Sequence, residues 1–417
     1  MVARIERRED CGTGMTAKDS RIAIVGAGIG GLATALALRG VGISVEVYEQ
    51  APAIAPIGAG IQLTPNASKA IRGFGIFDTV RRQSYAPEMG YNRDWDTACV
   101  TNLLPMGRDI EATYGAPDLA MHRAVLHFAL LEGVPEGVVR LGKRLVGLDR
   151  MGRDFRLRFA DGSDTWVDAV IGADGIHSVV RETLFGLEDP CFNGRVAYRT
   201  TFPTHRLPNI EYDGRVKWWG PDRHVVSYLL TPGEDEIYYI AVTNEPEFQL
   251  ESWSAMGDVD DLLSAFEGFH PRVLGLLGAA EHVRKWALVD RDPMADWGEE
   301  RIVLLGDACH PMPPYIAQGA AAAMEDAIVL ARCLSEFGRD GIAEAFRLYE
   351  ALRQPRTARM QVTARENTWM QFKTNAHWVY GYDPWTTPLR MEPDDTVERQ
   401  SKNSGGRPAP ARLVSDT

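Results

Sequence analysis

The feature that most constrains this chain is a run of glycines between two hydrophobic stretches close to its N-terminal end. Gly26-x-Gly28-x-x-Gly31 follows the β-branched stretch 21–25 and opens the helix-forming stretch 32–39. A second strand-like stretch, 45–49, comes next. This order predicts a βαβ unit. Its first glycine permits a tight turn, its second lets a pyrophosphate approach the backbone, and its third allows close helix–strand packing.

The acid that ends the second strand-like stretch supports this interpretation. Glu49 lies 21 residues after Gly28, where a carboxylate accepts hydrogen bonds from the ribose hydroxyls of an adenosine. The free N–H groups at the start of the predicted helix favour phosphate. We therefore predict a bound dinucleotide, although a βαβ unit alone leaves both FAD and NAD open.

Two later motifs favour FAD. Gly172-Ala-Asp174-Gly175 and Gly306-Asp307 each follow a hydrophobic strand-like stretch. An aspartate at the end of a strand can bind a hydroxyl of the ribityl chain, which FAD has and NAD lacks. The alternative for either motif is an aspartate that only caps a turn or a helix. Because both motifs occur, in this order, we predict noncovalently bound FAD.

Composition argues against several other classes of function. The net charge of −12 disfavours nucleic acid or an anionic membrane as the main partner. Residues 1–20 lack the hydrophobic core of a secretory signal, and no hydrophobic run reaches membrane-spanning length. The dispersed cysteines form no CxxC spacing, which predicts a cytoplasmic protein without a metal site; they are Cys11, Cys99, Cys191, Cys309 and Cys333.

The three motifs resemble the signature of the class A FAD-dependent aromatic hydroxylases, which include the salicylate and 3-hydroxybenzoate hydroxylases. The resemblance covers roughly residues 20–385. Stretches such as 216–219, 310–312 and 378–382 are similar to the 6-hydroxynicotinate 3-monooxygenases within that family. The resemblance implies an α/β fold like that of p-hydroxybenzoate hydroxylase, in which a Rossmann-like FAD-binding domain carries an inserted β-sheet substrate domain and a helical C-terminal region.

The activity that the resemblance implies is a monooxygenation. The expected substrate is a small hydroxylated aromatic or pyridine carboxylic acid, with O2 and NADH or NADPH as co-substrates. A flavin C4a-hydroperoxide would transfer one oxygen atom to the ring, with or without loss of CO2. The expected protein is a monomer or homodimer.

The domain organisation is predicted from the order of strand and helix signals. Successive strand-like stretches between residues 190 and 250, separated by turn residues, indicate the inserted sheet. The predicted segments are a flexible N-terminal tail (1–20), the first part of the FAD-binding domain (21–190), the substrate-binding β-sheet domain (191–290), the FAD-binding part with the Gly-Asp motif and flavin helix (291–345), a C-terminal helical region (346–388) and a flexible tail (389–417).

The resemblance also implies which residues bind the cofactor. Asp307 would meet the ribityl chain, and Arg123 and Pro314 would lie near the isoalloxazine ring. Small residues at the start of the helix after Gln318 would let the ring approach, and the positive helix end would stabilise the anionic reduced flavin. The full predicted set is Gly26, Gly28, Gly31, Glu49, Gln50, Gly60, Arg123, Asp174, Asp307, Pro314, Gly319 and Ala320.

The candidate catalytic residues are His224, Tyr228, Tyr315 and Gln62. His224 and Tyr228 are four residues apart on a predicted strand and therefore share a face. Relatives use a His and a Tyr there to activate the ring hydroxyl. Gln62 is a departure, because the 6-hydroxynicotinate enzymes have a His at this position and many other aromatic hydroxylases have a Gln. The departure puts 6-hydroxynicotinate in question as the substrate.

Three other functions remain open at this point. A flavin oxidase or reductase would share the FAD motifs without needing a group that activates a phenol. An NAD-only dehydrogenase would have no use for Asp307, and a non-catalytic protein would bind FAD without turnover. His224 and Tyr228 would then be ordinary sheet residues. Cys309 is interpreted as a small packing residue.

Overall fold

The structure is a computed structural model that describes residues 21–55, 59–207, 212–248 and 255–390. The predicted N-terminal tail, and all of the predicted C-terminal tail after residue 390, lie outside the described residues. The helices are α1 (Ile29–Gly40), α2 (Pro65–Gly73), α3 (Phe77–Arg81), α4 (Arg108–Tyr114), α5 (Arg123–Gly133), α6 (Val179–Phe185), α7 (Val259–Ala265), α8 (Pro271–Gly278), α9 (Gly319–Glu336), α10 (Ile342–Glu366) and α11 (His377–Tyr380).

The strands belong to two large sheets and two small ones. In chain order they are β1 (Ile22–Val25), β2 (Val45–Tyr48), β3 (Gly60–Leu63), β4 (Met89–Asp94), β5 (Val100–Pro105), β6 (Leu119–His122), β7 (Val139–Arg140), β8 (Leu145–Met151), β9 (Asp154–Phe159), β10 (Asp164–Val167), β11 (Ala169–Gly172), β12 (Cys191–Pro203), β13 (Arg215–Trp219), β14 (His224–Leu229), β15 (Glu236–Asn244), β16 (Met256–Gly257), β17 (Val283–Asp290), β18 (Gly298–Glu299) and β19 (Ile302–Leu304).

The first large sheet has the strand order β18-β19-β11-β1-β2-β7, and its strands are parallel except for β18. Every residue of β1 and β11 is buried, because helices cover both faces of a parallel sheet. Helix α1 packs against α5 and α9, and α9 packs against α10. The predicted βαβ unit is therefore formed by β1, α1 and β2.

The second large sheet has the order β16-β17-β12-β15-β14-β13-β4-β5 and is antiparallel apart from the β13–β4 pair. The predicted strands within 191–290 are present. The sheet also contains β4 and β5, which the sequence had placed in the first part of the FAD-binding domain. Gly90, Asn92 and Asp94 in β4 are poor strand formers, so the pattern of the sequence did not indicate these strands.

The second sheet has two different faces. One face, which we call the core face, packs on α7 and α8 in a hydrophobic core that includes Val196, Trp218, Val225 and Tyr239. The alternate residues form the opposite face, which we call the cavity face; it carries Arg199, Arg215, Lys217, His224, Val226, Tyr228, Tyr238, Ile240 and Val242. The alternation follows from the two-residue period of a strand.

A buried network of charges joins the helices beneath the first sheet. Arg353 of α10 is fully buried, and its Nη2 and Nε lie 2.7 Å from carboxylate oxygens of Glu325 and Asp326 on α9. Arg356 adds a second ion pair to Glu325 at 2.8 Å. Asp326 also accepts hydrogen bonds from His310 at 2.5 Å and from the backbone N–H of Gly306 at 3.3 Å. The network therefore fixes α9 against both α10 and the Gly-Asp motif.

Removal of Arg353 should destabilise the protein strongly. In Arg353→Ala, the buried carboxylates lose a cation that satisfies both of them, and breaking such a buried pair costs about 3–5 kcal/mol. Arg347→Ala is the matched control on the same helix, because the Arg347 side chain is 68% exposed and, among the described residues, pairs only with Glu344. Chemical denaturation of the two variants measures the difference. Equal unfolding free energies would show that the network contributes little to stability.

Candidate active site

A single cavity of about 1280 Å³ runs between the first sheet and the cavity face of the second sheet. At one end it is lined by the glycine loop, and at the other by the cavity face. Of the predicted cofactor-binding residues, all except Gly31 line this cavity, and so do the four candidate catalytic residues. The structure therefore brings together positions that are up to 294 residues apart in the sequence, from Gly26 to Ala320.

The glycines of the βαβ unit occupy three different environments. Gly26 has a φ of +100°, a conformation that favours glycine. A Cβ on Gly31 would lie 1.9 Å from the carbonyl oxygen of Gly26, so this glycine lets α1 pack closely on β1. Nothing lies within 4 Å of a Cβ built on Gly28, which borders the cavity at the start of α1. These are the environments expected when a pyrophosphate rests on the helix N-terminus.

Glu49 is held against the glycine loop. Its carboxylate accepts hydrogen bonds from the backbone N–H groups of Ala27, at 2.7 Å, and Ala51, at 2.8 Å. Gln50 follows it on the cavity wall. The carboxylate therefore has a fixed position at the end of β2, where the adenosine of a dinucleotide would lie.

The two aspartate motifs differ in their contacts. The Asp174 carboxylate accepts hydrogen bonds from the Ser178 hydroxyl, at 2.5 Å, and from the backbone N–H of Val180, at 3.2 Å, so it caps the start of α6. The Asp307 carboxylate is exposed to the cavity and forms no hydrogen bond in the described part of the chain. Although it faces the cavity, Asp307 lies deep enough in the protein for desolvation to raise its pKa, and the nearby His310 and Arg123 oppose this shift. Asp307 is thus the aspartate with free acceptor oxygens for a ligand.

The start of α9 presents unpaired backbone donors to the cavity. Helix α9 follows the turn formed by Pro314–Ile316, and no side chain caps its first N–H groups. Gln318 is buried, and its amide is bonded to Thr64 and Asn66 at 2.8 Å each. The cavity therefore meets the positive end of an 18-residue helix beside Gly319 and Ala320.

His224 and Tyr228 both project from the cavity face of β14, with Val226 between them on the same face. Burial, together with the charges of Lys217 and Arg195, lowers the pKa of His224 well below its usual value. Burial raises the pKa of Tyr228 well above its usual value, and it raises the pKa of Tyr315 too. The ring of Tyr315 meets that of His224 edge to face, with centroids 5.2 Å apart. All three rings are therefore uncharged at neutral pH.

Gln62 and Gly60 come from β3, which approaches the cavity face from the other side of the cavity. A Cβ on Gly60 would lie 2.6 Å from the ring of Tyr238 and 2.8 Å from the hydroxyl of Tyr228, so only glycine allows this approach. The Nε2 atom of Gln62 is buried and has no hydrogen-bond partner among the described residues. Gln62 thus offers one unpaired donor to the cavity.

The sequence interpretation missed the cations of the cavity face. Arg199 is buried with its guanidinium 4.2 Å from the ring centroid of Trp286. Arg215 and Lys217 alternate along β13, opposite Tyr228 and Val226 of β14. The sequence could have indicated these cations, because Arg215 and Lys217 are two residues apart on a strand and therefore project from the same face.

Comparison with known proteins gives the family. The model of a family described as "FAD binding domain" matches residues 19–364. The 6-hydroxynicotinate 3-monooxygenase of Bordetella bronchiseptica is 43% identical over 371 residues, which are 88% of this chain and 97% of that protein. The 3-hydroxybenzoate 6-hydroxylase of Klebsiella oxytoca is 37% identical over 84% of this chain and 88% of its own. The chain belongs to the FAD-dependent aromatic hydroxylases.

A solved structure agrees with this assignment. A salicylate hydroxylase in complex with its substrate superposes with a TM-score of 0.76 at 25% identity, over 88% of this chain and 96% of that one. The predicted family, its fold class and the FAD and NAD(P)H cofactors are therefore confirmed. This hydroxylase is an NAD(P)H-dependent flavin monooxygenase.

The residues around the cavity fit FAD. The open space over Gly28, the fixed carboxylate of Glu49, the unpartnered carboxylate of Asp307 and the free N–H groups of α9 all border the same cavity. They match, respectively, a pyrophosphate, a ribose, a ribityl chain and the anionic edge of a reduced isoalloxazine ring. The roles of the individual residues stay predictions.

The described residues contain no group of three or more His, Cys, Asp or Glu side chains that could hold a metal ion. Within the same ranges, no helix is both long and hydrophobic enough to cross a membrane.

Replacement of Asp307 should weaken FAD binding without unfolding the protein. In Asp307→Ala, a hydrogen bond from the ribityl chain to a charged acceptor is lost, which is worth about 1.5–3 kcal/mol and corresponds to a tenfold or larger loss of affinity. Asp78→Ala, at an exposed position on α3, is the control. Fluorescence titration of the apoprotein with FAD measures both. An unchanged dissociation constant in Asp307→Ala would contradict the assigned role.

Proposed function

We propose that this hydroxylase acts on a small aromatic or pyridine carboxylic acid that carries a ring hydroxyl. The observation that carries the proposal is the charge of the cavity face. Among the described residues of the second sheet that line the cavity, three are cations, Arg199, Arg215 and Lys217, and none is an acid. The acids of the cavity, by contrast, lie on the side of the glycine loop and the Gly-Asp motif.

Arg215 and Lys217 are the basic side chains best suited to meet a carboxylate. Burial, together with the charge of Arg215, lowers the pKa of Lys217 well below its usual value, and an anionic ligand beside Lys217 would raise that pKa again. Neither side chain forms an ion pair within the described ranges, and the Nε atom of Arg215 is buried without a hydrogen-bond partner. Burial raises the pKa of Asp118 to about 6, and the nearby charge of Arg215 opposes this shift without an ion pair between the two side chains. Part of the charge and hydrogen-bonding capacity of Arg215 is therefore unmet, which is unfavourable away from water. An anionic ligand beside β13 would relieve that cost, which supports binding of an acid.

The other end of the substrate would meet uncharged hydrogen-bond donors. The pKa of Tyr228 is raised well above its usual value by burial, so its hydroxyl keeps its proton. Donors of this kind stabilise a ring oxygen that carries negative charge. An ionised ring hydroxyl donates electron density to its ortho and para carbons, which prepares them for attack.

FAD held in this cavity and reduced by NAD(P)H would supply the activated oxygen for transfer to the ring. The protein would hold the substrate at both ends, with its carboxylate beside β13 and its ring hydroxyl beside β14. These two contacts would fix the position of the ring carbon that is attacked. If the carbon that is attacked bears the carboxylate, CO2 leaves. Whether hydroxylation is decarboxylative depends on the orientation of the acid.

The names of the relatives suggest the first compounds to try. They act on 6-hydroxynicotinate, 3-hydroxybenzoate and 3-amino-4-hydroxybenzoate. Gln62 stands where the 6-hydroxynicotinate enzymes have a His, so we expect a benzoate to be a better substrate than 6-hydroxynicotinate. We also propose that the protein is cytoplasmic and a monomer or homodimer. The cytoplasmic location is supported by the free thiols of Cys99, Cys191, Cys309 and Cys333.

A panel of hydroxylated benzoates and nicotinates, each with its matched carboxamide, tests the proposal. We expect acids to stimulate NAD(P)H oxidation with formation of a hydroxylated product, and carboxamides to have a KM at least about tenfold higher, because they lack the charge that meets Arg215. In Arg215→Met this difference should shrink. Turnover of uncharged compounds only, or NAD(P)H oxidation that yields hydrogen peroxide alone, would contradict the proposal.

Loss of the Tyr228 hydroxyl should affect ring hydroxylation more than flavin reduction. Removal of one donor to a developing anion typically costs about 10²-fold in rate, so Tyr228→Phe should hydroxylate more slowly and release more hydrogen peroxide. Tyr239→Phe is the matched control on the core face, where the Tyr239 hydroxyl donates to the carbonyl of Leu277 at 3.2 Å. Stopped-flow measurements separate the two half-reactions. If Tyr228→Phe couples NAD(P)H oxidation to hydroxylation as well as the wild type does, the Tyr228 hydroxyl has only a structural role.

A further inference from the structure

His224 is connected to Lys217 by a side chain from the far end of the chain. The Lys217 Nζ atom lies 3.2 Å from Oδ1 of Asn367, and Nδ2 of the same amide lies 3.4 Å from Nδ1 of His224. His224 is 3% exposed. Asn367 does not line the cavity, whereas Lys217 and His224 both do. The amide thus joins the two side chains without itself lining the cavity.

The position of Asn367 is fixed by its backbone. It ends helix α10 with a φ of +49°, a left-handed conformation that Asn and Gly adopt more readily than other residues. The loop that follows is attached to the second sheet, because Asn92 and Asn102 both donate to the carbonyl of Met370. The amide is therefore presented to β13 and β14 by a helix end and an anchored loop.

The direction of these hydrogen bonds determines the tautomer of His224. An amine has several N–H groups to donate, so the amide turns its oxygen to Lys217 and its NH2 group to the imidazole. An NH2 group can only donate, so Nδ1 of His224 must accept. Because burial keeps the imidazole neutral, its single proton is then on Nε2, at the other edge of the ring.

We propose that Lys217 and Asn367 are positioning residues that hold His224 as a hydrogen-bond donor toward the ring oxygen of the substrate. This inference rests on the proposed function and extends it, because it assigns His224 a fixed direction. Nε2–H and the Tyr228 hydroxyl would together bind the substrate in its ionised form, and the proton of the ring hydroxyl is released to water. His224 stabilises the anion in this arrangement and does not remove the proton.

Other charged or titratable groups also face His224. Lys217 approaches from β13, Arg195 from β12 and Tyr315 from the turn before α9. Lys217 and Arg195 disfavour a second proton on the imidazole, and Tyr315 is uncharged, so no group among these three favours the imidazolium. His224 should therefore not titrate over the working pH range. The pH dependence of the absorption of the bound substrate should then report the ionisation of its ring hydroxyl.

The inference can be tested by replacing Asn367 in two ways, with NMR of the FAD-loaded protein labelled with ¹⁵N-histidine. Nitrogen shifts distinguish a protonated ring nitrogen from an unprotonated one, and His224→Ala assigns the signal. In the wild type we expect the proton on Nε2. Asn367→Asp would accept from both Lys217 and His224, so the proton should move to Nδ1. Asn367→Gly keeps the left-handed helix end but lacks the amide, and it controls for folding.

The functional readout is the absorption spectrum of the bound substrate as a function of pH. In Asn367→Asp we expect the apparent pKa of the bound ring hydroxyl to rise by more than about one unit, with more hydrogen peroxide per NAD(P)H, and in Asn367→Gly by a smaller amount. A wild-type His224 protonated on Nδ1, or an unchanged pH profile in Asn367→Asp, would overturn the inference even when the wild type hydroxylates the acid. If the protein hydroxylates no acid, the proposed function fails. The inference about Asn367 is then still tested, because the absorption spectrum of a bound acid gives the pKa of its ring hydroxyl.

Discussion

The fully buried ion pairs between Arg353 and the carboxylates of Glu325 and Asp326 are the interaction on which the active site depends. Two carboxylates on a helix are costly to bury. They stay charged because, against the effect of burial, Arg356 and Arg353 lower the pKa of Glu325, and His310 and Arg353 lower the pKa of Asp326. Once satisfied, they orient α9. The same Asp326 accepts from His310 and Gly306, so the loop that carries Asp307 is aligned with the helix whose N-terminus faces the cavity.

The two faces of the second sheet have different roles, since one packs in the hydrophobic core and the other lines the cavity. On the core face, Trp218, Val225 and Tyr239 pack on α7 and α8 and hold the sheet rigid. On the cavity face, the same strands present cations and uncharged donors to one end of the cavity. A change on one face can therefore be tested against a change on the other. The division also explains how polar residues as buried as His224 are tolerated in a sheet, because they border a cavity that a polar ligand can fill.

The sequence predicted the parts of this arrangement that local patterns specify. The βαβ unit follows from Gly26, Gly28 and Gly31, and the common face of His224 and Tyr228 follows from the two-residue period of a strand. The strands β4 and β5 were missed because β4 is rich in residues that disfavour strands. The buried charges of α9 were missed because two adjacent acids, Glu325 and Asp326, in an alanine-rich helix usually indicate a side that faces solvent. Asn367 could not be found, since its partners lie 143 and 150 residues away in the sequence and only the fold brings them together.

The central claim is that one cavity brings reduced flavin, O2 and an aromatic acid together so that an oxygen atom enters the ring. The most direct measurement is turnover of the FAD-loaded protein with NAD(P)H and ¹⁸O2, followed by mass spectrometry of the aromatic product. We expect one ¹⁸O atom in each product molecule, with little labelled hydrogen peroxide. Product without ¹⁸O, or consumption of NAD(P)H with all of the label in hydrogen peroxide, would contradict it.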